Sequence, residues 1–289
     1  MWKTAMAQVG DALTDTIEGG AASAVARAFR MARLQARALG DFPGTIPASL
    51  PEAYVIQSAA IQGWPDTVGG WKVGRITGEA EVRHGVDRLI GPVFARVIQH
   101  SAGTAITTIA AIDGGFCAVE AELVFRLGRD APASGASITG ADALDYADTL
   151  LAGVEIAGSP LATINDLGPT VVVSDFGNNA GLVIGGPIAD WRARLGQLEA
   201  ETRIDGRVIA RGVDAGFPGG IAASLAFAIQ QAARMGLPLK AGTYVSTGAI
   251  TGVHDIRAGQ SAEIRFGADG RDGVLGVRCV PAVPRGAAA

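Results

Sequence analysis

The chain reads Val119-Glu120-Ala121-Glu122-Leu123-Val124-Phe125 near its middle, and this stretch places two acids two residues apart in an otherwise apolar run. Successive residues of a β-strand point to opposite faces, so Glu120 and Glu122 share one face of the strand that the pattern predicts. Two carboxylates that converge in apolar surroundings repel each other and lose hydration, and a hard divalent cation between them would offset both costs. The alternative is a strand of an antiparallel sheet with one face in water. The stretch therefore predicts a strand, and a metal site if further acids lie near it.

Composition excludes several classes of function. The 289 residues carry a formal net charge of −4, so we expect no basic surface for nucleic acid or anionic lipid. Residues 1–20 lack the apolar core of a signal peptide, and no apolar stretch reaches the length of about 18 residues that spans a membrane. Cys117 and Cys279 lie far apart in the sequence and form no C-x-x-C pair, so neither a disulfide framework nor a zinc cluster is expected. These features favour a cytoplasmic protein.

The first part of the chain predicts a small helical unit. Apolar residues recur at helical spacing from 22 to 39, with arginines between them, and a second short helix is expected from Glu52. From about residue 70, the sequence consists of short runs rich in β-branched residues, which glycines separate. We therefore predict a helical N-terminal unit over residues 1–69 and a catalytic β-rich domain over residues 70–289.

The second part predicts many strands and one long helix, from Ile221 to Met235. The predicted strands cover residues 93–98, 118–127, 153–157, 170–174, 182–185, 243–246, 261–266 and 273–280. Their spacing has no regular βαβ rhythm, and no G-x-G-x-x-G follows a strand to open a helix, so a Rossmann fold is not expected. The predicted fold class is α+β with a mixed β-sheet.

Two further polar residues stand in apolar, strand-like runs. Glu155 lies within Ala152-Gly153-Val154-Glu155-Ile156-Ala157, and buried glutamates are rare without a partner. Three carboxylates supply enough oxygen atoms for octahedral magnesium or manganese and leave other positions for water or a chelating substrate. Lys72 lies within Gly70-Trp71-Lys72-Val73-Gly74, where burial would disfavour the charged form and allow proton exchange near neutral pH. The alternative for Lys72 is an ammonium group that reaches solvent along an apolar surface.

These runs belong to a longer series of motifs. The series is Gly70-Trp71-Lys72-Val73-Gly74, residues 120–130, Gly153-Val154-Glu155-Ile156, residues 177–185, the helix at 221–236, Leu239-Lys240-Ala241-Gly242 and Val245-Ser246-Thr247-Gly248-Ala249. In order and spacing it resembles the fumarylacetoacetate hydrolase superfamily, and more narrowly its 2-keto-4-pentenoate hydratase branch. The resemblance covers nearly the whole chain.

The resemblance implies a fold, a site and an activity. The implied fold is a mixed β-roll that assembles into homo-oligomers, and the implied cofactor is Mg²⁺ or Mn²⁺. The implied site residues are Lys72 for proton transfer, Glu120, Glu122 and Glu155 as metal ligands, and Ser159, Thr247 and Gly248 for the substrate carboxylate. The implied activity is that of a hydro-lyase, which adds water to a 2-hydroxy-2,4-dienoate or its 2-oxo-4-enoate tautomer in aromatic-compound catabolism.

Three departures from the family pattern lie in the substrate region. Leu89 stands where hydratases commonly carry the acid of a Pro-Asp-Phe-Gly segment, and Asn178 stands in place of another acid. Gly158-Ser159-Pro160 replaces a frequent Asp-Ser-Arg. The alternatives are therefore hydrolysis of an acylpyruvate, decarboxylation of 4-oxalocrotonate, and a non-catalytic partner subunit that keeps only the fold.

Overall fold

A computed structural model describes residues 20–101 and 105–285 of the protein. The prediction about a signal peptide concerns residues 1–20, and nearly all of these lie outside the described residues. The helices are α1 (Ala21–Leu34), α2 (Leu50–Gln62), α3 (Gly78–His84), α4 (Gly140–Leu144), α5 (Pro169–Ser174), α6 (Trp191–Arg194) and α7 (Gly220–Arg234). Among these described helices, none is long and apolar enough to cross a membrane.

The strands of the described residues form two sheets. They are β1 (Val68–Arg75), β2 (Arg88–Phe94), β3 (Ile98–His100), β4 (Ile106–Ala111), β5 (Phe116–Leu127), β6 (Ala147–Ser159), β7 (Asn179–Pro187), β8 (Glu199–Ile204), β9 (Arg207–Val213), β10 (Tyr244–Ser246), β11 (His254–Asp255), β12 (Ser261–Phe266) and β13 (Gly273–Pro281). The larger sheet has the order β2-β1-β10-β5-β6-β7-β3, with β11 paired to β5, and the smaller has the order β4-β13-β12-β8-β9. Parallel and antiparallel pairs occur in both sheets, which confirms the predicted α+β class with mixed sheets.

Strand β5 lies inside the larger sheet with its two faces in different surroundings. Ala121, Leu123 and Phe125 are fully buried in the main hydrophobic core, together with Leu225 of α7. Because side chains alternate along a strand, the even-numbered residues of β5 face the other side. The apolar core thus fixes the direction in which the two acids of β5 point.

Helices α1 and α2 pack onto the β-rich part of the chain. Phe29 of α1 and Ile56 of α2 share a buried cluster with Phe94 and Phe176. The rings of Phe94 and Phe176 are 5.0 Å apart and meet edge to face. The predicted boundary between a helical unit and a catalytic domain stays a prediction, and β1 begins just before it, at Val68.

Helix α1 ends earlier than the sequence predicted, at Leu34 rather than at residue 39. Ala36 takes a left-handed backbone conformation with a φ of 49°, and the N–H of Arg37 returns to the Ala32 carbonyl at 2.9 Å. This is the hydrogen-bond pattern of a helix terminus that usually has glycine at the left-handed position. Because alanine stands where glycine is usual, the sequence did not indicate that the helix ends here.

The predicted strand at residues 170–174 is wrong, because these residues form helix α5. Pro169 occupies the first helical turn, where its missing N–H removes no intrahelical bond. The Ser174 hydroxyl donates to the Thr170 carbonyl at 2.8 Å, one turn back. The β-branched residues of this segment thus led to a predicted strand where the protein has a helix.

Candidate active site

The pairing of β5 with β6 brings the three acids together. Glu120 lies directly opposite Glu155, and Glu122 lies opposite Gly153. Directly opposed residues of an antiparallel pair point to the same face of the sheet. Oxygen atoms of the three carboxylates all lie within 4.8 Å of one another. A Cβ atom at Gly153 would lie 2.5 Å from a methyl of Val124, so the packing here requires glycine.

Strand β10 fixes Glu122. Its Oε2 atom accepts a hydrogen bond from the Ser246 hydroxyl and a second, at 2.8 Å, from the Gly248 N–H. Thr247, between these two, donates its hydroxyl to the Leu123 carbonyl at 2.8 Å. The segment predicted to bind the substrate carboxylate therefore holds a predicted metal ligand.

Strands β1 and β7 fix Glu155. Its Oε1 atom accepts a hydrogen bond from the Asn179 side-chain amide at 3.0 Å and lies 3.3 Å from the Lys72 ammonium nitrogen. Asn179 was not predicted as a functional residue, and Ser246 was predicted only as part of the segment Ser246-Thr247-Gly248 for the substrate carboxylate. In the sequence, each of these residues is only a short polar residue beside an apolar run. Such residues are common at strand ends because they favour turns, so they do not indicate a functional site.

One oxygen atom of each anchored carboxylate has no partner within the described residues. These atoms are Glu122 Oε1 and Glu155 Oε2, both buried. A buried polar atom without a partner is costly, and buried charges are normally paired or coordinate a metal. If all groups are ionised, three carboxylates and the Lys72 ammonium leave two net negative charges. The residues present therefore fit a hard divalent cation.

Burial and mutual repulsion change the proton affinities of the cluster. Burial, and then the charge of Glu155, raise the pKa of Glu120 to about 7. Burial, followed by the charges of Glu155 and Glu120, raises the pKa of Glu122 well above its ordinary value. Burial alone would lower the pKa of Lys72, but the three acids, Glu155 foremost, raise it above its ordinary value. In the metal-free cluster the three acids therefore favour charged Lys72, and they outweigh the effect of burial, which favours the neutral form.

A cavity of about 470 Å³ leads to this cluster. Lys72 and Glu120 lie at its polar end, and Leu89, Val172 and Phe217 are among the apolar residues of its wall. Leu89 is the position where hydratases commonly carry an acid, and its side chain is buried. The wall is therefore apolar at this position.

The backbone beside the cavity is strained. Phe176, Gly177 and Asn178 have φ values of 55°, 67° and 61°, so three consecutive residues adopt the left-handed conformation. At a residue other than glycine, such as Phe176, this conformation costs about 1–3 kcal/mol, and such residues cluster at functional sites. The Asn178 side chain is buried at the cavity and donates to Asn165 at 3.2 Å, whereas its oxygen atom has no partner in the described chain. The turn thus presents a buried amide to the cavity.

Ser159 lies outside the described lining of this cavity. Its hydroxyl donates to Asp175 at 2.6 Å and accepts from the N–H of Leu161 at 3.0 Å. Arg33 of α1 also binds Asp175, at 2.6 Å. The observed partners of Ser159 are therefore structural, and its role in substrate binding stays a prediction.

Comparisons with solved structures identify the type of fold. The 4-oxalocrotonate decarboxylase from Pseudomonas putida G7 is 21% identical, with a TM-score of 0.73 over 90% of this chain and 97% of that chain. Its structures are complexes with calcium and acetate and with magnesium and adipate. Fumarylpyruvate hydrolase from Pseudomonas aeruginosa, in complex with Mn²⁺ and pyruvate, is 18% identical, with a TM-score of 0.54 over 77% and 94% of the two chains.

Neither comparison at the level of sequence gives a match: no protein-family model and no curated protein matches the chain. These two enzymes have the fold of the fumarylacetoacetate hydrolase superfamily, and this chain has the same fold. The predicted resemblance is thereby confirmed for the fold. The hydratase branch stays a prediction.

Proposed function

We propose that the protein is a lyase that depends on a divalent metal and acts on 2-oxo acids or their 2-hydroxy-2,4-dienoate tautomers. One observation carries this proposal: three buried carboxylates converge beside Lys72 at a cavity that Lys72 and Glu120 line, and two of them keep an oxygen atom without a partner among the residues that the structure describes. Glu120, Glu122 and Glu155 would hold Mg²⁺ or Mn²⁺, the kinds of ion named with the superfamily structures above.

The chain's own residues have separate tasks in this proposal. When bound, the cation would act as a Lewis acid on the carboxylate and 2-oxygen of the substrate, where negative charge develops. Lys72 would donate a proton from its ammonium group to the substrate. Glu155 positions that ammonium group, because its carboxylate lies 3.3 Å from the Lys72 nitrogen. Leu89 and Phe217 line the cavity and would contact the apolar part of the substrate.

Hydration of a 2-hydroxy-2,4-dienoate is the reaction that the sequence resemblance favours. In this reaction the dienol loses its enol proton and gains a proton at C5, which gives the conjugated 2-oxo-3-enoate, and water then adds at C4 of its double bond to give the 4-hydroxy-2-oxo acid. Lys72 serves the proton transfer, and the cation site orients the 2-oxo acid. We further propose that the protein works in the cytoplasm as a homo-oligomer.

Decarboxylation is the second candidate, and the apolar wall at Leu89 favours it. Hydration needs groups that position and deprotonate a water molecule, whereas decarboxylation needs only stabilisation of the developing charge and one proton for the carbon that loses CO₂. Lys72, Arg75 and Glu120 are the ionisable residues of the described cavity lining. Decarboxylation is also the activity named for the Pseudomonas putida structure.

One experiment tests both candidates. Purified protein with Mg²⁺ is incubated with 2-hydroxypenta-2,4-dienoate, an acylpyruvate or 4-oxalocrotonate, while ultraviolet absorbance and released CO₂ are followed. Turnover of the first compound without CO₂ supports hydration, and release of CO₂ from the last supports decarboxylation. Lys72→Met should abolish turnover, whereas Lys240→Met, at an exposed lysine paired with Asp130, should not. Failure of all three compounds would favour the non-catalytic partner subunit.

A further inference from the structure

Cys117 and Cys279 are distant in the sequence but meet in the fold. Cys117 lies near the start of β5 in the larger sheet, and Cys279 lies near the end of β13 in the smaller sheet. Both belong to the main hydrophobic core. The two thiols lie close enough that each changes the pKa of the other. Both cysteines are free thiols in this structure, and their separation in the sequence is not kept in the fold.

The backbone fixes this proximity independently of the thiols. The N–H of Ile256 donates to the Cys117 carbonyl at 3.1 Å. Three residues further on, the N–H of Gly259 donates to the Cys279 carbonyl at 2.9 Å, and the Cys279 N–H donates to the Gln260 carbonyl at 3.0 Å. One short segment thus binds the backbone of both cysteines and holds the two strands together at this point.

The two cysteines differ in their access to solvent. Cys279 is completely buried, whereas Cys117 is 9% exposed and lines a cavity of about 660 Å³. This cavity shares no lining residue with the one that leads to the three acids. A small oxidant in it could reach Cys117 without entering the candidate active site.

We propose that Cys117 and Cys279 form a reversible oxidation site, at which a peroxide converts the two thiols into one disulfide within the chain. Hydrogen peroxide oxidises the Cys117 sulfur to a sulfenic acid and leaves as one water molecule. The Cys279 sulfur then displaces the hydroxyl group, which leaves as a second water molecule with the thiol proton, and the S–S bond forms. Each disulfide consumes one peroxide, and a dithiol restores both thiols.

Access to the cavity, and not acidity, makes Cys117 the sulfur that peroxide reaches first. The neighbouring Cys117 thiol lowers the pKa of Cys279, so Cys279 is the sulfur that loses its proton more readily. The neighbouring Cys279 thiol, followed by burial, raises the pKa of Cys117. Since thiolates react faster than thiols, we expect oxidation of Cys117 to be slow. The site would respond to sustained peroxide exposure.

The disulfide would join the two sheets across a long closed loop. Residues 117–279 contain the three acids and most of the strands described above. A cross-link that closes a long loop restricts the unfolded chain and stabilises the fold. The oxidised protein should therefore unfold at a higher temperature than the reduced protein, and reduction should reverse the shift.

The test uses the full chain, first reduced and then treated with excess hydrogen peroxide. The expected product has lost two hydrogen atoms per chain by intact mass, yields one cross-linked peptide containing both cysteines, and unfolds at a higher temperature until dithiothreitol is added. Cys117→Ala and Cys279→Ala should each lose the peroxide-dependent shift.

Two results would overturn the proposal. One is wild-type protein that keeps both thiols, or forms only sulfinic acid, under excess peroxide. The other is a disulfide found only between chains. Because the mass measurement uses the wild-type protein, it remains decisive even if a variant fails to fold, and it does not depend on the proposed enzymatic activity.

Discussion

Glu122 and Glu155 each have one oxygen atom that the protein fixes and one that it leaves available. Ser246 and Gly248 bind one oxygen atom of Glu122, while Asn179 and Lys72 contact one oxygen atom of Glu155. Groups that orient ligands in this way also raise metal affinity. The three acids were identifiable from the sequence because they interrupt apolar strands. Among their anchors, Lys72 and Gly248 were also predicted as site residues, whereas Asn179 was not, because an isolated polar residue gives no comparable signal.

Removal of an anchor should weaken metal binding without removing a ligand. We expect Ser246→Ala to lower the affinity for Mn²⁺ by about 10–100-fold, because Glu122 would lose a hydrogen bond that orients it. Titration calorimetry of the wild type and the variant measures the effect. Ser134→Ala, at an exposed serine, is the matched control and should bind as the wild type does. Equal affinity of all three proteins would contradict the assigned role of Ser246.

The raised pKa of Glu120 predicts how the stability of the metal-free protein depends on pH. In the fold this pKa rises from 4.5 to about 7, so between these values the folded protein holds a proton that the unfolded chain has lost. The free energy of unfolding should therefore fall as pH rises through this interval. At about 1.4 kcal/mol per pKa unit, the decrease from this group is at most about 3.5 kcal/mol.

Urea unfolding in the presence of a chelator, at both ends of that pH interval, measures this decrease. Glu120→Gln should show a smaller decrease than the wild type, because its side chain does not titrate. Glu79→Gln, at an exposed position of α3, should behave as the wild type does. A decrease of the same size in the Glu120→Gln variant would show that Glu120 does not cause it.

At the scale of elements, the sequence predicted the helices and strands in which the hydrophobic pattern and the residues that mark the ends indicate the same bounds. Strand β12 occupies the predicted residues 261–266, and α7 departs from its predicted helix by one residue at each end. Strands β8 and β9 were not predicted, although β8 alternates between buried and less buried residues. Its buried positions are Ala200, Thr202 and Ile204, which give a weak hydrophobic period. The hydrophobic pattern of these residues was therefore too weak to predict β8.

The end of α1 offers a stability test at this scale. Ala36→Gly should stabilise the protein by about 1 kcal/mol, because a left-handed conformation strains alanine and not glycine. Thermal or urea unfolding measures the difference. Ala24→Gly, at an exposed position inside α1, should instead destabilise by about 1 kcal/mol. A loss of stability in both variants would refute the assigned role of Ala36.

At the scale of the whole molecule, the long-range contacts were the least predictable feature. Glu120 and Glu155 are opposed only through the register of β5 with β6, and no local pattern specifies that register. The sequence resemblance supplied the grouping of the acids, and the fold then brought them within reach of one cation. The same kind of long-range pairing places Cys117 beside Cys279, which the sequence alone did not predict.

The central claim is that the three acids bind one divalent cation. Crystals grown with Mn²⁺ and examined by anomalous diffraction test it most directly. The account predicts one anomalous peak about 2.1 Å from oxygen atoms of Glu120, Glu122 and Glu155, close to the distance at which Mg²⁺ binds oxygen. A crystal in which Mn²⁺ occupies other sites while these three carboxylates bind none would contradict it.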